Sequence, residues 1–168
     1  MIKWPLLPIL LLLGFYSGTV KADYFDEVLC LAENIYFEAR SESTAGRMAV
    51  ALVTLNRVKH PNFPDTVCGV VKQTKYYPSG RIDLHSCQFS WYCDGKSDNP
   101  TEDCFDEIFV LASVMMEWRI WPGTTAGPLV DLTQGALWYH SKEVWPRWAD
   151  HYVQTVSIDN HIFYKALD

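Results

Sequence analysis

The sequence predicts an α+β fold, mainly helical, with a small antiparallel sheet in the C-terminal part. Two observations carry this. Apolar residues recur at helical spacing in four segments between residues 24 and 121, each bounded by Ser, Thr, Asp or Pro. Near the end, ALWYH (136–140) and YVQTVSI-DN-HIFYKA (152–166) change to the look of short strands, the second a hairpin about Asp159-Asn160. Helices followed by strands make an α+β domain, and 168 residues suggest one domain.

The chain opens with MIKWPLLPILLLLGFYSGTVKA, residues 1–22, which reads as a secretory signal. Lys3 marks the n-region, residues 5–16 the apolar h-region, and Val20-Lys21-Ala22 a cleavage site. The apolar run is broken by Pro8 and Gly14 and falls short of the ~20 residues that span a bilayer. The expectation is a cleaved signal and a domain over 23–168, exported to the periplasm or medium. The alternative is a retained anchor. The net charge is −6, and more acidic still once Lys3 and Lys21 are lost. No Lys/Arg cluster offers the phosphate contacts that nucleic acids or anionic membranes demand.

A first helix is expected over 24–40, with Val28, Leu31, Ala32, Ile35 and Ala39 on its inner stripe. Ser41-Glu42-Ser43-Thr44 breaks it, and Ser43 or Thr44 caps a second helix through Val58 that is apolar nearly all round and therefore central. After HPNFP (60–64), a short third helix fits DTVCGVVKQ, capped at Asp65 or Thr66. Residues 74–100 lack a period. A loop that long in a compact domain is usually functional or disordered, and its aromatics and cysteines argue for function. A fourth helix over 104–121, closed by Pro122-Gly123, completes the helical part.

Five cysteines follow the signal: Cys30, Cys68, Cys87, Cys93 and Cys104. Behind an export signal they read as disulfide partners, with at least one left over. Spacing does not choose the pairs. No C-x-x-C pair supports a zinc knuckle, so neither metal nor cofactor is expected.

The residue of greatest chemical interest is Glu38. It lies about 20° around the helix axis from Leu31, on the shoulder of the apolar stripe, one turn before the helix ends. A carboxyl held against apolar surface is harder to ionise, and its pKa rises toward the range in which it can donate a proton near neutral pH. A general acid for glycoside cleavage needs that property. The plain alternative is a carboxylate paired with Arg40, Arg47 or Arg57, or capping the next helix.

Around Glu38 the sequence carries, in order, YFEAR (36–40), ALVTLNRV (51–58), FPDTVCGVV (63–71), QFS (88–90) and WYH (138–140). This ordered set, covering most of the chain, resembles the catalytic domain of the SleB/CwlJ cell-wall hydrolases. With TVCGVV and CQFSWYCDG it is similar to the branch exported by Gram-negative bacteria and their phages. The resemblance implies a lysozyme-like fold, cleavage of the peptidoglycan glycan strand, and Glu38 as catalytic acid. Relatives act as lytic transglycosylases with one carboxyl. A retaining lysozyme needs a second carboxyl about 5–5.5 Å away, for which Glu42 and Asp94 are the candidates.

Sugars bind by stacking on aromatic faces and by hydrogen bonds to amides and hydroxyls. Gln88, Phe89, Ser90, Trp91, Tyr139 and His140 are therefore the substrate-binding candidates, with Phe89 and Trp91 also suited to a small core under the loop. Trp138 stands where many relatives are expected to carry histidine. Asn56 and Arg57 are expected to brace the turn beneath Glu38. Two other function classes stand beside the glycosidase. A zinc amidase would need ligands from His60, His85, His140, His151 and His161, which are scattered and form no HExxH pair. A non-catalytic peptidoglycan-binding module would use the aromatic loop alone. The expected partner is peptidoglycan, bound by a monomer. Remodelling of the host wall, phage lysis and wall opening for a secretion apparatus all fit.

Overall fold

The computed structural model describes residues 19–120 and 130–167. Most of the expected signal, residues 1–18, and the Pro122-Gly123 stop of the fourth helix lie outside the described residues. Helix α1 (Thr19–Ala39), α2 (Thr44–Lys59), α3 (Val67–Val71) and α4 (Phe105–Ile120) are followed by strands β1 (Trp138–Ser141), β2 (Val153–Ile158) and β3 (His161–Lys165). The α+β reading holds, element for element.

The helices form where capping and apolar spacing agree. Ser43 caps α2, its hydroxyl accepting from the Gly46 N–H, and Thr66 does the same for α3 with Gly69. A second acceptor reaches α3 from another helix: Glu27 of α1 takes the N–H groups of Val67 and Cys68. Helix α1 packs on α4, α3 and α2. Its Leu31, Ala32 and Ile35 are fully buried against Ile108, Ala112 and Met115 of α4 and Val67 and Val70 of α3. As expected from its apolar circumference, α2 is central. Ala49 through Leu55 are all buried.

A disulfide, Cys30–Cys68, ties α1 to α3. A second, Cys87–Cys93, closes a short loop, and Cys104 is the free thiol. The 74–100 segment is ordered by this bridge, by an isolated Tyr76–Ile82 pairing and by a 3-10 turn, Ser90–Cys93. Trp91 anchors it from within. Its indole N–H donates to Asn34 Oδ1 at 3.1 Å, and Asn34 donates in turn to Thr54 at 3.1 Å. One buried polar chain thus joins loop, α1 and α2.

The sheet has the order β1-β3-β2, antiparallel throughout, with Tyr139 opposite Phe163 and His140 opposite Ile162. Asp159, at φ 46°, makes the tight β2–β3 turn. Phe163, Ala49, Val53 and Ala136 form a small second core that glues the sheet to α2. A 3-10 turn, Arg147–His151, precedes β2 and has no signal in the apolar pattern. Among the described residues, no helix is long and apolar enough to cross a membrane.

Candidate active site

Glu38 sits in the last turn of α1, and its position depends on how that helix stops. The chain must reverse within Arg40–Ser43 to start α2, and the β2–β3 turn holds it there. The Asp159 carboxylate accepts from both the N–H (2.9 Å) and the hydroxyl of Ser43. Glu42 accepts from the Asn160 N–H at 3.1 Å. An anion at the start of α2 also suits the helix dipole. Gly46 is required by this clamp, because a Cβ there would stand 2.5 Å from Asp159 Oδ2 and 2.8 Å from the Glu42 Cβ.

The half-buried Glu38 side chain opens onto a cleft of about 290 Å³ lined also by Arg57, Cys87, Gln88, Phe89, Ser90, Trp138, Tyr139 and Trp148. The Tyr139 hydroxyl donates to Glu38 Oε2 at 2.9 Å. Burial, and then the Glu38 charge, push the Tyr139 phenol well above its ordinary range, so it remains a donor. Burial likewise raises the Glu38 carboxyl, opposed by the Tyr139 hydrogen bond and the Arg57 charge. The net result is an acid that holds its proton to higher pH than a surface glutamate.

None of the three arginines offered as ion-pair partners takes Glu38. Arg40 bonds Glu102 at 3.0 Å, and Arg47 donates to the Arg40 carbonyl with Glu107 at 4.0 Å. Arg57 is buried. Its Nε donates to the Leu137 carbonyl at 2.7 Å, and its guanidinium lies over the Phe63 and Phe89 rings at 5.5 and 5.2 Å. Burial lowers its pKa to about 10, which leaves it cationic at neutral pH. Arg57 thus supplies a fixed positive charge behind the carboxylate without neutralising it. Asn56 braces the neighbouring loop, donating to Asp131 at 2.9 Å and to the Ala136 carbonyl at 3.2 Å.

Of the residues singled out in the sequence, Glu38, Gln88, Phe89, Ser90 and Tyr139 meet in this cleft. Phe89 is nearly fully buried under Arg57 and is a floor more than a stacking face. Two of the expected residues lie outside this cleft. The Trp91 indole N–H is bonded to Asn34, and its ring, stacked on Phe37 at 4.6 Å, lines a different cavity. His140, on the strand face opposite Tyr139, is buried between the Tyr164 hydroxyl (2.9 Å) and the Ser141 carbonyl (2.8 Å), behind the Trp148 ring at 5.6 Å. Neither lines the cleft. The second-carboxylate candidates are also elsewhere. Glu42 is spent on the Asn160 N–H. Asp94 is held below the usual carboxylate range by the Lys96 N–H and ammonium, at 2.8 and 3.4 Å. Trp148 was not foreseen. It sits on a short 3-10 turn, and its only signal was a tryptophan flanked by polar residues in PRWADH.

A carboxyl whose pKa burial raises, in a small aromatic-walled cleft, has the character of a proton donor. A sequence model of the Cell Wall Hydrolase family matches residues 41–164, and the chain belongs to that family. The match begins just past Glu38 and assigns it no role. The spore cortex-lytic enzyme of Halalkalibacterium halodurans is 47% identical over 56 residues, 33% of this chain and 17% of that one. That of Bacillus subtilis is 44% identical over 46 residues, 27% and 15% of the two chains. The matched segments therefore span less than a fifth of these relatives. In three dimensions the chain resembles the catalytic domain of the Bacillus cereus SleB protein (TM-score 0.56, 27% identity, 83% of this chain and 90% of that one). It also resembles the catalytic domain of a germination-specific lytic transglycosylase, SleB from Bacillus anthracis (0.53, 25%, 83% and 94%).

Proposed function

We propose that this enzyme cleaves the glycan strand of peptidoglycan as a lytic transglycosylase, with Glu38 as its one acid and base. The observation that carries the reading is that, among the described residues, Glu38 is the only carboxylate lining the cleft. Burial raises its pKa, and the Tyr139 hydroxyl donates to it. In the first half-reaction Glu38 gives its proton to the glycosidic oxygen as the bond to the anomeric carbon breaks. The carboxylate then takes the proton of the muramoyl 6-hydroxyl, whose oxygen bonds to the same carbon and closes a 1,6-anhydro ring. No water and no second carboxylate take part, and Glu38 ends protonated as it began.

Each neighbour has a part in this cycle. Arg57 and Tyr139 stabilise the carboxylate formed midway, so the carboxyl can release its proton as well as hold it. Gln88 and Ser90 offer polar groups to the sugar, and Trp138 and Trp148 offer aromatic faces. The solved relative described as a lytic transglycosylase favours the same chemistry. Two disulfides favour an oxidising compartment outside the cytoplasm, where the wall is.

Mass spectrometry of digested sacculi tests the reading. Anhydromuramyl ends are expected, and Glu38→Gln removes them. Water-terminated reducing ends would overturn the single-acid cycle. Free muramic lactyl carboxyls would point instead to the amidase alternative. Sacculi that bind the protein and never clear would point to a binding module.

A further inference from the structure

A second cavity, about 460 Å³, is lined from the same last turn of α1 and the same 3-10 turn as the catalytic cleft. Neighbouring residues divide between the two. Glu38 and Ser90 line the cleft, whereas Phe37 and Trp91, next to them in the chain, line the second cavity. Its floor is the stacked Phe37–Trp91 pair, 18° from parallel, with Tyr36 edge-on to Phe37 at 5.0 Å.

Its rim carries both signs of charge: Arg40 and Lys96 against Asp94, Asp98 and Glu102. Arg40 pairs with Glu102 and Lys96 with Asp94. Both pairs are solvent-exposed, and such pairs hold their partners weakly and give way to a better-placed ligand. Asp98 belongs to neither pair. Burial, and then the Asp94 charge, raise its carboxyl above the ordinary range, with the Lys72 charge opposing them, so a further cation at this rim is favoured.

A bare glycan has little use for such a rim. The peptide stem on each muramic lactyl group does: it carries carboxylates and, where it contains a diamino acid, an ammonium. The two cavities are lined by chain neighbours, Phe37 and Glu38, and Trp91 and Ser90, whose Cα atoms are about 3.8 Å apart, whereas an extended tetrapeptide spans roughly 13 Å. We propose that the second cavity is a subsite for the peptide stem of the sugar held at Glu38, with Arg40 and Lys96 receiving stem carboxylates, Asp98 the ammonium, and the Phe37–Trp91 floor the aliphatic parts. This rests on peptidoglycan being the substrate.

The test is calorimetric titration of the full chain with a free tetrapeptide, L-Ala–γ-D-Glu–diaminopimelate–D-Ala. Binding with a Kd of about 1 mM or tighter is expected. Lys96→Glu and Asp98→Lys are expected to weaken it at least about tenfold. Lys96 is 83% exposed, so its replacement leaves the core intact. Acetylating the diaminopimelate amine is expected to weaken binding to the wild-type chain and to make little further difference to Asp98→Lys. Absence of binding up to about 10 mM, or equal affinity in wild type and both variants, overturns the subsite. The titration needs no turnover. Water-terminated products would remove the lyase reading and leave the subsite standing, while silent titrations alongside anhydromuramyl ends would do the reverse.

Discussion

Glu38 and Tyr139 are 101 residues apart in the chain, and their side chains meet at 2.9 Å. The helix supplies the acid and the sheet supplies the group that orients it. This contact ties the pH behaviour of the site to the docking of the sheet.

Removing the acid tests both chemistry and stability. Glu38→Gln keeps the shape and the acceptor for Tyr139 but has no proton to give, so lysis of purified sacculi should slow by on the order of 10²–10⁴. Its folded pKa is raised. The stabilisation associated with the protonated carboxyl is therefore full below the unfolded pKa and is lost as pH rises through the folded one. Melting curves should show Glu38→Gln gaining on the wild type at pH 7, with the gain shrinking toward pH 4.

Tyr139→Phe should move the alkaline limb of the pH–rate profile upward. The phenol hydrogen bond favours the ionised carboxylate, and without it Glu38 holds its proton longer. The maximal rate should fall about 10–100-fold, because the carboxylate formed midway loses its donor. A limb that moved to lower pH would show that Tyr139 does not act on the ionised form.

The two disulfides should have separable effects. Cys30–Cys68 closes a separation of 38 residues between two helices, neither cysteine lining the cleft, and replacing both with serine should cost about 3–4 kcal/mol in urea unfolding. Cys87–Cys93 encloses Gln88, Phe89 and Ser90, which line the cleft. The Cys87→Ser/Cys93→Ser pair should chiefly raise KM on soluble glycan strands.

Asn34→Ala should be costly for its size. It strands the Trp91 indole N–H and removes the donor to Thr54, all buried. A loss of about 1–3 kcal/mol is expected, read by chemical denaturation. An Asn34→Ala/Trp91→Phe double variant should recover part of it, since the orphaned donor is gone.

The helices and hairpin were legible because local rules decide them. Ser43 caps where a cap residue was read, and Asp159-Asn160 turns where the alternation broke. The half-buried placement of Glu38 was legible for a similar reason, a charge set on the shoulder of an apolar stripe. What stayed hidden was set by tertiary contact. Trp91 and Phe89 look alike in CQFSWYCDG, and only the distant Asn34 and Arg57 decide which face each ring presents. His140 read as a sugar ligand because its motif adjoins Tyr139, yet strand alternation turns it to Tyr164. The cysteine pairs depend on which helices pack together, which spacing does not encode.

The strand order has a temporal meaning. The middle strand of the sheet, β3, follows both of its neighbours in sequence, so β1 has no strand to pair with until residues 161–165 exist. Until then Tyr139 has no scaffold, and Glu38 lacks the phenol that aims it. The Glu38–Tyr139 contact therefore forms only once β3 has been made, and the pocket around Glu38 is assembled late relative to the helices.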